Sequence, residues 1–151
     1  MTPEAFGSEL PYTQVVGKAL MNAKNLAEDK RNSEVTPLHL LKALFQVKGS
    51  MVPAIFHEAK LQPSKIIDEL SRRIDKLPTL ERLPESGAYF SNSVLRILRA
   101  AESEAQGMGD EYISAEHIIL AILSADFGEV SELLQATGLT REKLLSALQN
   151  V

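Results

Sequence analysis

Apolar residues recur at helical spacing along most of the chain. After Thr13, for example, Val16, Leu20, Ala23 and Ala27 return every three or four residues, which is the period of one helix face. No segment shows the sustained alternation of apolar and polar residues between turns that a half-buried strand would show. The pattern therefore predicts an all-α protein.

Eight helices follow from this pattern and from residues that favour helix starts. Most of the apolar segments are preceded by a hydroxyl that can accept a free backbone N–H, and two others by proline or glycine. The predicted starts are Thr13, Thr36 with Pro37, Ser50, Pro63, Ser91, Ser114, Gly128 and Thr140. The first helix should end near residues 29–32, the third at 59, the fifth at 107–109, the sixth near 124 and the seventh at 137.

The two halves of the chain share one sequence pattern. Residues 35–44 read VTPLHLLKAL and residues 113–122 read ISAEHIILAI, with an offset of 78 residues between their histidines (117 − 39). The same offset relates Thr13 to Ser91 near the start of each half. The offset indicates a duplication, and predicts two pseudo-symmetric four-helix repeats. Units of this size rarely bury their apolar faces alone, so the repeats should pack as one eight-helix domain.

The duplication also divides the chain into segments. They are an N-terminal lead (1–12), repeat 1 (13–76), a linker (77–90) and repeat 2 (91–151). The linker contains two prolines and Gly87 and little helical pattern, which predicts a surface connection. We expect Leu80, Leu83 and Phe90 to order it by packing back onto the helices.

Composition excludes several classes of protein. The 151 residues are 44% hydrophobic and 24% charged, as in soluble globular domains. A net charge of −4 argues against a nucleic-acid partner, and the lack of cysteine excludes disulfides, thiolate catalysis and Cys-ligated zinc. The first ten residues lack the pattern of a secretory signal, and no apolar run approaches the roughly 20 residues that span a bilayer. The expected location is cytoplasmic, without a membrane partner.

The sequence shows no motif for catalysis, a metal or a bound cofactor. The phosphate-binding pattern Gly-x-x-x-x-Gly-Lys-Ser/Thr and the Gly-x-Ser-x-Gly elbow are both absent. Gly107 and Gly109 follow a helix and are interpreted as its stop. His39 and His117 occupy the third position of capped helices in separate repeats, and a structural role is favoured for both over a ligand or base. We therefore expect no catalytic residues and no nucleotide site in this segment.

Three acidic residues lie near the start of the predicted sixth helix. Asp110 and Glu111 follow the glycine stop, and Glu116 lies in the first turn after Ser114. A carboxylate at a helix start interacts favourably with the helix dipole, by roughly 0.3–1 kcal/mol, which is a sufficient structural reason for Glu116. Partner binding is an equally good explanation from the residues alone.

These motifs resemble the Clp N-terminal repeat. The resemblance is carried by residues 36–44 and 113–122, by Thr13 at the first helix start, and by Gly-Asp-x-Tyr-Ile-Ser at 109–114. It covers the chain from Thr13 to Val151 and, among subfamilies, is closest to ClpB, which has a similar Leu-Pro after the fourth helix. The sequence departs from the family in its longer lead and in Ala115, which stands where repeat 1 has Pro37.

The resemblance implies a function and a set of site residues. Clp N-terminal domains cap a hexameric AAA+ ring, capture unfolded or aggregated polypeptides, or dock adaptor proteins. Residues implicated in client handling in ClpB-like proteins match Thr13, Asp110 and Glu116 here. ATP would then be a cofactor of the parent protein alone, and the isolated domain should be monomeric.

Alternatives to the ClpB-like interpretation stay open on the sequence. One is an adaptor-docking domain of a protease-linked unfoldase such as ClpC or ClpA, and another is a standalone relative. A free-standing helical hydrolase or regulator is the least favoured. The AAA+ modules of the family are missing, so the chain is either a fragment of a longer protein or a standalone relative, and its end just after the eighth helix is what a fragment would show.

Overall fold

A computed structural model of the chain describes residues 10–151 and confirms the all-α prediction with eight helices. The first four are α1 (Gln14–Asp29), α2 (Pro37–Gln46), α3 (Val52–Glu58) and α4 (Pro63–Asp75). The second four are α5 (Asn92–Gly107), α6 (Ala115–Ser124), α7 (Glu129–Ala136) and α8 (Arg141–Gln149). Most of the N-terminal lead, residues 1–9, lies outside the described residues.

Hydroxyl caps fix most of the helix starts where the sequence predicts them. The side chains of Thr13, Ser91 and Thr140 each accept a hydrogen bond of 3.2 Å from the backbone N–H three residues later. Thr36 and Ser114 form a reciprocal cap with the histidine three residues on. Such a cap typically stabilises a helix by about 1 kcal/mol, so the caps account for the agreement at these starts.

The start of α3 differs from the prediction. Met51, and not Ser50, is the residue that precedes the helix. The Ser50 hydroxyl donates to the carbonyl of Leu44 and accepts from the N–H of Val52 at 3.1 Å. Ser50 therefore ties the end of α2 to the start of α3 and does not cap from the usual position.

Two short parallel pairings, which the sequence analysis did not predict, join the halves. β1 (Glu34–Val35) pairs with β2 (Tyr89–Phe90), and Tyr12 forms an isolated parallel bridge with Ile113. Phe90, the residue before the α5 cap, thus pairs with Val35, the residue before the α2 cap. In the same way Tyr12, before the α1 cap, pairs with Ile113, before the α6 cap. Matching backbone bonds of 3.0 Å run from Thr13 N to the Ile113 carbonyl and from Ser91 N to the Val35 carbonyl. The pairing is reciprocal: each half binds the entry segment of the other.

One hydrophobic core runs through both halves. α1 packs on α2 and α5 on α6 within each half, while α2 contacts α5 and α7, and α3 contacts α8, across the halves. Phe45 and Phe56 meet edge to face at 4.8 Å between ring centres. Fully buried Leu, Ile or Phe side chains such as Leu20, Leu98 and Phe56 each contribute roughly 1.5–3 kcal/mol.

The linker lies against the helices, partly through the predicted residues and partly through Ala88. Phe90 packs against the core and Leu83 is half-buried, whereas Leu80 remains 41% exposed. Leu80 donates its backbone N–H to the carbonyl of Arg31 at 2.9 Å, which leaves its side chain pointing outward. The expectation for Leu80 was wrong, and Ala88, with 1% exposure, is the buried linker residue instead.

An ion pair on α1 holds the linker at Ala88. Glu28 pairs with the nearly buried Lys24, and one of its carboxylate oxygens accepts the Ala88 N–H at 2.9 Å. The Lys24 ammonium and the Ala88 amide both hold the Glu28 pKa below its usual value. Gly87 has φ +77°, which favours glycine, and a Cβ there would collide with the Glu28 carboxylate and displace it from Lys24 and Ala88.

Candidate functional site

Thr13 begins α1 and is in direct contact with the second half of the chain. Its hydroxyl accepts from Val16 N at 3.2 Å, and its own N–H donates to the carbonyl of Ile113 at 3.0 Å. Ile113 in turn donates to the carbonyl of Pro11 at 2.7 Å. The side chain is half-buried, so the hydroxyl serves the helix first and has limited surface for a partner.

Asp110 follows the turn that ends α5. Gly109 has φ +75°, and the Asp110 N–H reaches back to the Ala105 carbonyl at 2.8 Å, which confirms the predicted glycine stop. The Asp110 side chain is 48% exposed, and its carboxylate lies 2.8 Å from Nε2 of His117. Asp110 therefore faces solvent with one side and a buried histidine with the other.

His117 is oriented by hydrogen bonds at both ring nitrogens. Its Nδ1 accepts the N–H of Ser114 at 2.9 Å, and so carries no proton in the neutral ring. The proton then sits on Nε2, which donates to Asp110. The ring is 2% exposed and bridges the start of α6 to the end of α5. This confirms a structural position for His117.

The first repeat contains the same arrangement with a neutral partner. His39 Nδ1 accepts from Thr36 N at 2.9 Å, and Nε2 donates to Asn32 Oδ1 at 2.9 Å. Asn32 and Asp110 are 78 residues apart, as are the two histidines. Unlike Asp110, Asn32 is buried, at 3% exposure, and its amide also donates to the Pro78 carbonyl at 3.1 Å. Repeat 2 thus has an exposed charge where repeat 1 has a buried amide.

Glu116 is the second residue of α6 and is half-buried. Within residues 10–151 its side chain makes no hydrogen bond or ion pair with another side chain. Its carboxylate lies in the first turn, where the helix dipole favours negative charge. Of the three predicted residues, Glu116 is therefore the one without a specific intramolecular partner in the part of the chain that the structure describes.

The bridge between Tyr12 and Ile113 brings the three predicted residues into one region. Thr13 lies beside Ile113, which stands between Asp110 and Glu116 in the chain. We call residues 110–116 and the adjoining Thr13 the acidic surface. Tyr112 is 55% exposed within it, whereas Ile113 is fully buried, as its pattern predicts. The surface combines carboxylates with one accessible aromatic ring.

The contact of Asp110 with His117 was not predicted, although the sequence contains a signal for it. Asn32 and His39 are seven residues apart, and Asp110 and His117 repeat that spacing at the constant offset. Two side chains that keep their spacing in both copies indicate a contact conserved by the duplication. The structural role of Asp110 was therefore accessible from the repeat itself.

Two further kinds of feature, metal-ligand clusters and membrane-spanning helices, are not found among the described residues. Within residues 10–151 no group of three or more His, Cys, Asp or Glu side chains is arranged to hold a metal ion. Among the helices described, none is long and apolar enough to cross a membrane. The acidic surface remains the site that combines sequence expectation with exposed functional groups.

Comparisons with known proteins agree with the resemblance. The profile of the Clp repeat N-terminal domain matches residues 11–137. The chaperone protein ClpB of Bdellovibrio bacteriovorus is 34% identical over 134 residues, which are 89% of this chain and 16% of that protein. The chain therefore spans about a sixth of the length of this curated relative.

Solved structures share the fold. The N-terminal domain of Hsp104 from Candida albicans superposes with a TM-score of 0.76 at 22% identity, covering 91% of this chain and 88% of that one. A ClpV N-domain, solved in complex with a VipB peptide, gives a TM-score of 0.69 at 20% identity, covering 97% and 93%. At these identities the similarity establishes the fold.

Proposed function

Because the chain belongs to the Clp repeat N-terminal domain family, we propose that it captures unfolded or aggregated polypeptide for a ClpB-like disaggregase. In this proposal the AAA+ ring belongs to the parent protein, which binds ATP, forms a hexamer and works in the cytoplasm. The domain itself contributes binding and no chemistry. Its role is to hold a client segment near the ring until the ring engages it.

The single observation that carries the proposal is the convergence of Thr13 with residues 110–116. The Tyr12–Ile113 bridge joins the start of α1 to the loop before α6. This junction brings one exposed aromatic ring, Tyr112, close to the carboxylates of Asp110, Glu111 and Glu116 along the chain. Exposed apolar and charged groups side by side are what an extended polypeptide can contact with both its side chains and its backbone.

The charge of this surface favours a particular kind of client segment. Carboxylates form their strongest hydrogen bonds with Lys and Arg side chains, and Tyr112 can stack on an apolar or guanidinium group. Binding through one domain should be weak, with a Kd in the micromolar range or above and a free energy of at most about −8 kcal/mol. A hexamer that presents several copies would raise the overall affinity without new contacts.

A solved relative supports a polypeptide as the occupant. The ClpV N-domain that shares this fold was solved with a VipB peptide. That complex concerns ClpV, and the same fold in this chain makes a polypeptide partner the natural hypothesis. Adaptor docking, the alternative from the sequence, is also polypeptide binding and differs in the identity of the partner.

The experiment uses the 151-residue chain and a labelled peptide with an apolar centre flanked by lysines. Glu116→Gln removes a charge at the second position of α6, and Glu142→Gln, the matched control, does so at the second position of α8. Both variants lose the same helix-dipole interaction. Fluorescence anisotropy should show several-fold weaker binding for Glu116→Gln and unchanged binding for Glu142→Gln.

Asp110→Asn separates client contact from support of His117. Asparagine retains an oxygen that can accept from His117, as Asn32 does from His39, but it has no charge. If Asp110 contacts clients, this variant keeps its stability and loses peptide affinity. Wild-type affinity in both Glu116→Gln and Asp110→Asn would remove the acidic surface as the client site.

A further inference from the structure

A second surface of opposite charge lies on α1. A shallow groove of about 430 Å³ runs between α1 and the connection from α2 to α3. Gly17, Met21 and Val47 contribute its apolar lining. Val47 is buried at 5% exposure, whereas Met21 on α1 remains 38% exposed. The Tyr12 ring approaches the lining at Gly17, whereas the Met21 side chain stays accessible to solvent.

Gly17 lines this groove, and Gly49 follows its Lys48 in the chain. A Cβ at Gly17 would meet the Tyr12 ring at 3.4 Å, so the ring can lie directly on the helix. Gly49, with φ +87°, turns the connection after α2 back towards Val15, whose methyl group would be 3.6 Å from a Cβ at position 49.

The charged groups that line the groove are all positive. Lys18 and Lys48 lie at its edges, both exposed, and within residues 10–151 neither forms an ion pair or a side-chain hydrogen bond. The remaining polar lining consists of the neutral amides Gln14 and Asn22. The next depression along α1 contains Asp29 and is lined by no lysine or arginine, so it lacks the positive charge of this groove.

We propose that this groove binds an acidic polypeptide segment. An apolar side chain of that segment would lie on Met21 and Val47, and flanking Asp or Glu residues would pair with Lys18 and Lys48. The attraction for acidic residues is a property of this groove and not of the whole chain, which carries a net charge of −4. The inference rests on the proposed polypeptide-binding function, and adds a surface that selects segments of the opposite charge from the acidic surface.

An acidic polypeptide fits the groove better than a nucleic acid does. Binding a phosphate backbone depends on a run of Lys and Arg, and single-stranded nucleic acid also requires aromatic rings for base stacking. The groove offers two lysines and an aliphatic and thioether lining. Apolar side chains of a polypeptide can therefore pack on this lining, and the lysines favour segments that carry acidic residues.

The test compares two labelled peptides that share one apolar centre and differ only in flanking Glu or Lys residues. The groove variant is Lys18→Glu with Lys48→Glu in the full 151-residue chain. The matched control is Lys65→Glu with Arg82→Glu, which changes the net charge equally at exposed positions outside the groove. Circular dichroism and urea melts first verify that both variants fold.

We expect the Kd of the Glu-flanked peptide to rise about tenfold in the groove variant and to stay unchanged in the control, since only the former loses close charge pairs. Met21→Ser should also weaken the binding of this peptide, because it removes apolar contact in the groove. The Lys-flanked peptide should respond instead to Glu116→Gln. Binding of the Glu-flanked peptide should weaken as salt rises from 50 to 500 mM, since these charge pairs are exposed.

Three results would overturn the inference. The first is an equal loss of affinity for the Glu-flanked peptide in the groove and control variants, which would assign the effect to overall charge. The second is self-association of the chain, measured by sedimentation, that the groove variant alone abolishes, which would assign the groove to a second copy. The third is tighter binding of an oligonucleotide than of the Glu-flanked peptide.

The two peptides together distinguish failure of the groove proposal from failure of the proposed polypeptide-binding function. If the Lys-flanked peptide binds and the Glu-flanked peptide does not, the acidic surface stands and the groove fails. If neither peptide binds, the proposed polypeptide-binding function fails together with the inference.

Discussion

Acidification from pH 7 to pH 5 should destabilise the protein through His39. The ring is 0% exposed, and burial, with a further contribution from the charge of Lys42, lowers its pKa from 6.5 to about 4. Its Nδ1 accepts the Thr36 amide proton and its Nε2 donates to Asn32, so the fold holds the neutral ring. A proton on Nδ1 would replace the bond from the amide with a repulsive contact.

The magnitude follows from linkage between protonation and folding. The unfolded chain binds this proton below about pH 6.5 and the folded chain only below about pH 4, so the unfolded state holds more protons in between. The free energy of unfolding therefore rises with pH across this window. The whole window corresponds to about 3 kcal/mol, of which about 2 kcal/mol lies between pH 7 and pH 5.

Urea melts at pH 7 and pH 5 can isolate this contribution. His39→Gln removes the titrating ring but keeps a side chain that commonly bonds the amide of a capping threonine. His57→Gln is the control, since that histidine is exposed on α3. We expect the wild type and His57→Gln to lose about 2 kcal/mol more between the two pH values than His39→Gln does. Equal losses in all three proteins would refute the assignment of the pH dependence to His39.

Urea melts at pH 7 should also report three further effects. Thr13→Ala should lose about 0.5–2 kcal/mol through the missing cap, whereas Thr13→Ser should retain most of the stability; an unchanged midpoint in the alanine variant would show that the hydroxyl does not cap. Asn32→Ala should cost about 1–3 kcal/mol because it leaves the buried His39 ring N–H without its partner. The half-exposed Asp110→Asn should cost less than about 0.5 kcal/mol, and similar costs in the two variants would contradict this asymmetry. Gly87→Ala should cost more than Gly138→Ala, since both have positive φ but only the former meets the Glu28 carboxylate; equal costs would mean that backbone strain alone matters.

The helices and their starts could be predicted because their determinants are local. Thr13, Ser91 and Thr140 cap through a bond to an amide three residues away, and that relation is fully contained in the sequence. The constant offset then extended each prediction from one half to the other. The structural role of His39 and His117 was predictable for the same reason, since each lies three residues after a capping hydroxyl.

The connections between the halves could not be predicted from local pattern. Strands of two residues, such as β1 and β2, are too short to show alternation. In the linker, backbone bonds decide which side chains face inward, so Ala88 is buried and Leu80 is exposed despite their hydrophobicity. The groove beside α1 likewise depends on how Val47 and Lys48 meet a helix some 30 residues earlier in the chain.

For the three proposed site residues, the sequence and the structure provide different kinds of information. Thr13, Asp110 and Glu116 follow from the family resemblance, and a role in client binding stays a prediction for all three. The structure adds that Asp110 supports His117 and that Thr13 caps α1. Loss of activity in an alanine variant of either residue would therefore mix two causes, which is why the conservative variants are the informative ones.

The reciprocal pairing of Tyr12 with Ile113 and of Phe90 with Val35 has the form of a two-fold contact. Two separate copies of one such repeat related in this way would make an isologous dimer, in which each copy holds the entry segment of the other. In the present chain the linker connects the copies and replaces their association with an intramolecular one, at an effective concentration of roughly millimolar. The duplicated chain thus has the symmetry of a dimer while its folding does not depend on protein concentration.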